Sequence, residues 1–383
     1  MQSNQELAKK LVSHTPAYVL DEEKLLQNLE ILKKIQEQSG CKILLAQKAF
    51  SMFSVYPVIE KYLAGTTASG LYEAKLGKEY FSGEVHVFSP AYKLEDMQEL
   101  VGIADDIIFN SLNQLEKYGE FCRQAGKSIG LRINPECSTQ ETVIYDPCAV
   151  GSRLGVTVDK LEKLESFPDI DGLHFHTLCE QNADALGLTL KAVEEKFEKY
   201  LYACKWVNFG GGHHITRPDY NRNLLIKLIK DFSEKYQVQV YLEPGEAIAL
   251  NAGYLITEIL DITENQNIKT LILDASASCH MPDVLEMPYR PPLYQADYPD
   301  KKNYNYRLSS CTCLAGDVIG DYSFDNILSI GDRLCFEDMM IYSMVKNNTF
   351  NGMPLPDIGM LHTNKTYEVI KKFSYQDFKE RLS

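Results

Sequence analysis

Through the first two thirds of the chain, short apolar runs alternate with stretches whose apolar positions recur every three or four residues. The runs fall near residues 42–47, 64–68, 85–88, 106–109, 128–133, 170–175, 206–209 and 238–242. Their shortness and their polar or glycine boundaries predict strands buried on both faces. Helical patterns lie between most of them. Leu25, Leu26, Leu29, Leu32 and Ile35 mark one helix face through about residue 38, with Asp21 as N-cap. Further helices are predicted over 112–125 after Ser111, over 184–201 from Asp184, and over about 219–235, where Leu224, Leu225, Leu228, Ile229 and Phe232 share a face. Strands and helices alternating in this number are what a (β/α)8 barrel requires. The doubly wound alternative lacks support, because no Gly-x-Gly-x-x-Gly follows the first strand.

Near residue 245 the rhythm changes. Ala252–Ile262, Thr270–Asp274, Tyr306–Leu314 and Arg333–Tyr342 read as strands, and only a short helix is expected at Ser374–Leu382. The prediction is therefore an α/β chain with a TIM-like barrel over 22–245 and a β-rich domain built from 1–21 and 246–383. The strand around Tyr18 is expected to join that second domain. Met281–Asp300, rich in proline and tyrosine, is expected to be an ordered loop.

Composition narrows the classes. Hydrophobic residues make up 45% and charged residues 24%, ordinary for a globular enzyme. No apolar run reaches membrane-span length, and Met1–Glu6 lacks a signal-peptide layout, which predicts a cytoplasmic protein without membrane attachment. The 10 cysteines follow no framework spacing and are expected as thiols; Cys311 and Cys313 form a lone Cys-x-Cys, so no metal site is expected. A formal charge of -14 disfavours nucleic acid and suits a cationic small molecule.

Four features carry candidate chemistry. Lys48 lies in the apolar run Ile43–Phe50. Desolvation lowers the pKa of an amine, and an uncharged amine at a barrel mouth can form a Schiff base, although a lysine at a strand end can also lead its head out to solvent. Gly210-Gly211-Gly212 follows the seventh strand, where backbone N–H groups can converge on a phosphate; a tight turn explains it equally. Glu243, after the eighth strand, can hold the pyridinium proton of pyridoxal phosphate or simply close a strand-end salt bridge. His176 ends the sixth strand, where it can stack on a ring or lie hydrogen-bonded in the core.

In order along the chain stand a strand lysine, Phe175-His176, Gly-Gly-Gly, Glu-Pro-Gly, a late cysteine loop, and Tyr342 ahead of Thr349-Phe350-Asn351-Gly352. Together they resemble the fold-type III pyridoxal-phosphate decarboxylases, the group of ornithine and diaminopimelate decarboxylases. Gly172–Glu180, Asn208–His214, Cys279–Asp283 and Cys313–Asp317 are most similar to the carboxynorspermidine/carboxyspermidine decarboxylases within that group.

This resemblance implies an alanine-racemase-like fold and pyridoxal 5'-phosphate as cofactor. It implies that Lys48 binds the cofactor covalently, His176 stacks on its ring, Glu243 pairs with the ring nitrogen, and Gly211, Gly212 and Tyr342 hold the phosphate. It also implies a homodimer with shared active sites, in which Cys313 from the second subunit acts near the substrate Cα. Glu246 stands where diaminopimelate and ornithine enzymes usually carry arginine, and a glutamate suits an amine rather than a carboxylate. Glu246, Asp283 and Asp317 are accordingly expected to receive the ammonium groups of a polyamine-like substrate. The competing readings are a diaminopimelate or other basic amino-acid decarboxylase and a catalytically silent regulatory homologue.

Overall fold

The computed structural model describes residues 2–140 and 142–383. It divides into two compact units, one spanning Asn28–Ile248 and the other joining the residues through Gln27 to Ala249–Ser383. The first strand, β1 (Ala17–Asp21), belongs to the second of these.

The segment Asn28–Ile248 is a closed barrel of eight parallel strands. These are β2 (Lys42–Ala46), β3 (Gly65–Ala68), β4 (Glu84–Phe88), β5 (Asp106–Phe109), β6 (Ser128–Arg132), β7 (Gly172–His174), β8 (Trp206–Asn208) and β9 (Gln239–Leu242). Closure comes from β2 pairing with β9, Lys42 opposite Tyr241 and Ile43 opposite Leu242. Long helices follow where periodicity places them, at Leu112–Gln124, Ala183–Leu201 and Arg222–Tyr236. Their caps differ in part from expectation. Ser111 does cap the first, accepting from the Gln114 N–H at 3.3 Å, but Asn182 rather than Asp184 caps the second, and Asn221 the third.

The N-terminal end of the barrel is filled by one large ring. Trp206 is 5% exposed, donates from Nε1 to Ser128 Oγ at 2.9 Å, and packs with Leu44, Ile108 and Tyr241. Neighbouring strands leave room for it only because they carry glycine: a Cβ at Gly172 would stand 2.1 Å from the indole, and one at Gly130 2.4 Å. A charged layer lies beside it, with Lys42 on Glu84, and His86 Nε2 3.2 Å from Glu84 and 3.1 Å from Asp106. With one end packed and neutralised, the opposite end is where the strands' C-terminal residues meet the loops.

The other unit is a mixed sheet in the order β13-β12-β11-β10-β1-β15-β16, with β14 pairing against β10. Its strands are β1, β10 (Gly253–Asn265), β11 (Ile268–Leu273), β12 (Tyr304–Ser310), β13 (Val318–Phe324), β14 (Arg333–Glu337), β15 (Asp357–Leu361) and β16 (Tyr367–Lys371). As expected from its Tyr18 segment, β1 lies within this sheet, antiparallel to β10 and parallel to β15. A further helix at Asn4–Leu11, not expected from the sequence, turns Leu7, Ala8 and Leu11 onto a core that includes Val12, Ala17, Val19, Tyr254, Ile256, Cys335 and Leu361. Met281–Asp300 is mostly irregular but includes the single helical turn Asp283–Glu286. Among the described residues no helix is long and apolar enough to cross a membrane.

Candidate active site

The barrel's C-terminal face gathers the chemistry. Lys48 stands on the turn after β2, and Glu243 follows β9, its barrel neighbour. The two loops are locked together: the Ala46 N–H donates to Pro244 O at 3.2 Å, and a Cβ on Gly245 would lie 2.6 Å from Ala49 Cβ. Lys48 itself is solvent-exposed rather than packed in the core. Protein still surrounds it closely enough that loss of water lowers its pKa, with Arg132 acting in the same sense and Glu243 opposing.

Glu243 is 8% exposed, and its carboxylate is held on one side by two donors. His174 Nε2 lies 3.2 Å from Oε2, and Asn208 Nδ2 donates to Oε1 at 2.8 Å. Burial alone would raise its pKa, but His174, His86 and Asn208 outweigh burial and hold it at about 2. His174 itself is pushed towards the neutral form by burial, aided by Arg132 and Lys48, and stacks on Phe88 at 5.4 Å. Its Nδ1 has no hydrogen-bond partner, which leaves the ring proton on Nε2, directed at the carboxylate.

His176 is fixed by a different contact. Its Nδ1 accepts from the Gly211 N–H at 2.8 Å, while burial, with Lys48 and Arg132, drives its pKa well below the ordinary value. The imidazole is therefore neutral, with its proton on Nε2. Arg132, 5% exposed at the end of β6, donates to His176 O at 3.2 Å and lies over the Phe88 ring. Gly210 and Gly212 have φ of +70° and +80°, and a Cβ on Gly211 would meet Glu243 O at 2.6 Å. No other residue type permits this approach of the β8 loop to its neighbours.

Beyond Glu243, the loops after β7, β8 and β9 place one ligand atom each of Glu180, His214 and Glu246 within 4.8 Å of one another. His214 Nε2 is 3.2 Å from Glu246 Oε2. This cluster was not anticipated beyond Glu246. Its sequence signal is the His213-His214 pair directly after the triple glycine.

The remaining expected residues lie in the sheet unit. Cys313 is exposed, and its N–H donates to Asn351 Oδ1 at 2.6 Å, tying the cysteine loop to the Thr349–Gly352 turn. Tyr342 adopts φ +49°, a backbone conformation that non-glycine residues rarely take. Two of the expected substrate residues already have partners within this unit. Asp317 is 1% exposed, and its carboxylate already accepts from Ser276 Oγ at 2.6 Å, Ser310 Oγ at 2.7 Å, Thr312 Oγ1 at 2.6 Å and the Ser278 N–H at 3.2 Å. It pins the loop that carries Cys313. Asp283 is paired with Lys346, which also holds Glu286 at 2.6 Å.

A lysine amine biased towards its neutral form, a carboxylate kept ionised, a neutral imidazole beside both, and a glycine loop at the same face fit a pyridine ring bearing an aldehyde and a phosphate. The family described as pyridoxal-dependent decarboxylase, C-terminal sheet domain, matches residues 17–340, and the chain belongs to it. It is a pyridoxal-phosphate-dependent decarboxylase by fold and by family.

Its relatives are more particular. The chain is 44% identical over 378 residues to the carboxynorspermidine/carboxyspermidine decarboxylase of Campylobacter jejuni, covering 96% of this chain and 98% of that protein. The crystal structure of the Campylobacter jejuni carboxynorspermidine decarboxylase complexed with norspermidine superimposes with a TM-score of 0.89 at 43% identity, covering 96% of this chain and 100% of that one. A third relative, the carboxyaminopropylagmatine decarboxylase of Synechocystis, is 42% identical over 370 residues, 96% of this chain and 95% of that protein.

Proposed function

We propose that this protein removes the α-carboxylate of carboxynorspermidine or carboxyspermidine, forming norspermidine or spermidine, and that it works as a cytoplasmic homodimer. The observation that carries the reading is the ionised Glu243, braced by His174 and Asn208, on the strand beside Lys48. Lys48 binds the cofactor through its amine, which desolvation keeps nucleophilic. When bound, pyridoxal phosphate supplies an electron sink for the pair left at Cα as CO₂ departs. Glu243 holds the proton on the ring nitrogen. His176, neutral and anchored by the Gly211 N–H, would hold the ring, and Arg132 sets its main chain. Gly211 and Gly212, with Tyr342, take the phosphate. Cys313 from a second copy of the chain returns a proton from its thiol to Cα, completing the replacement of carboxylate by hydrogen; Lys48 is the alternative donor.

A second reading is decarboxylation of carboxyaminopropylagmatine, favoured by the Synechocystis relative. The test is CO₂ release by the cofactor-loaded protein from carboxynorspermidine, carboxyspermidine, carboxyaminopropylagmatine and diaminopimelate in competition. Preference for either carboxylated triamine is expected. Fastest turnover of diaminopimelate, or no turnover of any of the four, overturns the proposal. Lys48→Ala should abolish both turnover and the visible absorption of the lysine-linked cofactor.

A further inference from the structure

The proposed reaction uses one thiol of the Cys-x-Cys pair and leaves the other without a task. Of the 10 cysteines only Cys311 and Cys313 are exposed, and they stand just beyond β12, which ends at Ser310. The residues alternating with them fix their direction. Ser310 Oγ and Thr312 Oγ1 both donate to the buried Asp317 carboxylate, at 2.7 and 2.6 Å, and the Thr312 N–H donates back to Ser310 Oγ at 3.1 Å. With 310 and 312 turned inward, 311 and 313 are turned outward on one side. A single turn meets them there: Cys311 Sγ lies 3.5 Å from Met353 Sδ, and the Cys313 N–H donates to Asn351 Oδ1 at 2.6 Å. Residues two apart in a straight strand have Cα atoms roughly 6.6 Å apart, near the upper limit of about 6.8 Å for a disulfide. The backbone bends at residues 311–313, which shortens that span.

We propose that Cys311 and Cys313 are an oxidation site that peroxide closes to an intrachain disulfide, taking the Cα proton donor out of use until a thiol reopens it. The proposal rests on the role given above to Cys313 and adds a control over it. The Cys313 thiolate attacks one oxygen of hydrogen peroxide; S–O forms as O–O breaks, and the hydroxide released takes up the proton the thiol gave up and becomes water. Cys311 sulfur then attacks the sulfenic sulfur. S–S forms, S–O breaks, and the hydroxyl leaves as a second water with the Cys311 proton. The two sulfurs together give two electrons to the peroxide. Partial burial, with Asp274 and Asp317 nearby, raises the Cys311 pKa and keeps it a thiol, so the first attack falls to Cys313. A ring closed across one residue is strained, and strained disulfides are readily reduced, so the closure reverses.

The test treats cofactor-loaded protein with excess hydrogen peroxide and divides it. One portion is alkylated with iodoacetamide for peptide mass spectrometry; the other is assayed on the carboxylated triamine it turns over fastest, before and after dithiothreitol. The peptide carrying Cys311 and Cys313 should lack two hydrogens and take up no alkyl group. Turnover should fall by about a hundredfold, the contribution of a positioned proton donor, and dithiothreitol should restore it. Cys311→Ser should match wild-type turnover before peroxide and lose it afterwards without recovery, because a Cys313 sulfenic acid with no neighbouring thiol goes on to the sulfinic acid. Alkylation of both thiols after peroxide, a disulfide from Cys313 to any other cysteine, or recovery of Cys311→Ser equal to that of wild type overturns the site. A closed disulfide with undiminished turnover overturns the control and the role of Cys313 together. If wild-type protein decarboxylates no polyamine precursor, the decarboxylase reading fails and the control falls with it, whatever the peptide masses show.

Discussion

Replacing Glu243 with glutamine tests the reaction chemistry while keeping the shape of the site. The carboxyl is held at about 2 against an ordinary 4.5, because His174, His86 and Asn208 outweigh the cost of burial. That displacement is worth about 3 kcal/mol in favour of the anion at neutral pH. Both close partners donate, so glutamine can satisfy one with its oxygen and must offer N–H to the other. His174 can accommodate this: its Nδ1 has no partner, so the ring proton can move there and Nε2 can accept from the new amide. The fold should therefore survive at a cost of about 1 kcal/mol.

Catalysis should not survive as well. Without an anion to hold the proton on the ring nitrogen, a loss of about 3 kcal/mol lowers the rate by about a hundredfold. The assay is single-turnover CO₂ release at saturating substrate, with cofactor content and thermal midpoint measured on the same preparation. A rate within threefold of wild type, in protein that is folded and loaded, would refute the assignment of Glu243.

Cys313→Ala should slow product formation far more than it weakens cofactor binding, measured by stopped-flow turnover and cofactor titration; equal losses would mean a structural role. Gly172→Ala places a methyl 2.1 Å from the Trp206 indole and should cost about 1–3 kcal/mol or more in urea unfolding, and an unchanged midpoint would show that the indole can move. Burial holds His213 and His280 neutral down to about pH 4 in the folded protein, whereas the unfolded chain protonates them near 6.5. The unfolded state thus takes up more protons in that window, and stability should fall as pH drops from 6.5 towards 4, by up to about 1.4 kcal/mol per pH unit for each histidine. A flat stability profile over that range, measured by denaturant titration, would contradict their neutrality.

The barrel was legible because its strands are buried on both faces, so several appear as apolar runs such as Ile43–Ala46 or Ile107–Phe109. The sheet unit was less so. In β13, Gly320 and Asp321 interrupt the alternation, and β16 is largely solvated, so neither has a strong apolar signature. Lys48, Glu243 and His176 could be singled out because each is a polar residue at the end of an apolar run. Arg132, Asn208 and His214 could not, since their meaning lies in partners brought from other strand ends by barrel closure. The surroundings of Asp317 were hidden for the same reason: nothing local announces that hydroxyls from Ser276, Ser310 and Thr312 converge on it.

The position of β1 between β10 and β15 also sets an order of events during synthesis. Asn28–Ile248 is one uninterrupted segment, and its strands pair mostly with sequence neighbours, so the barrel can close while the ribosome is still adding residues. Residues 17–21 must wait: one edge is covered only when Gly253–Ile256 emerges and the other only when Asp357–Leu361 does. The earliest strand made is among the last completed, and its unpaired backbone is the point at which nascent chains of this protein are most open to mispairing.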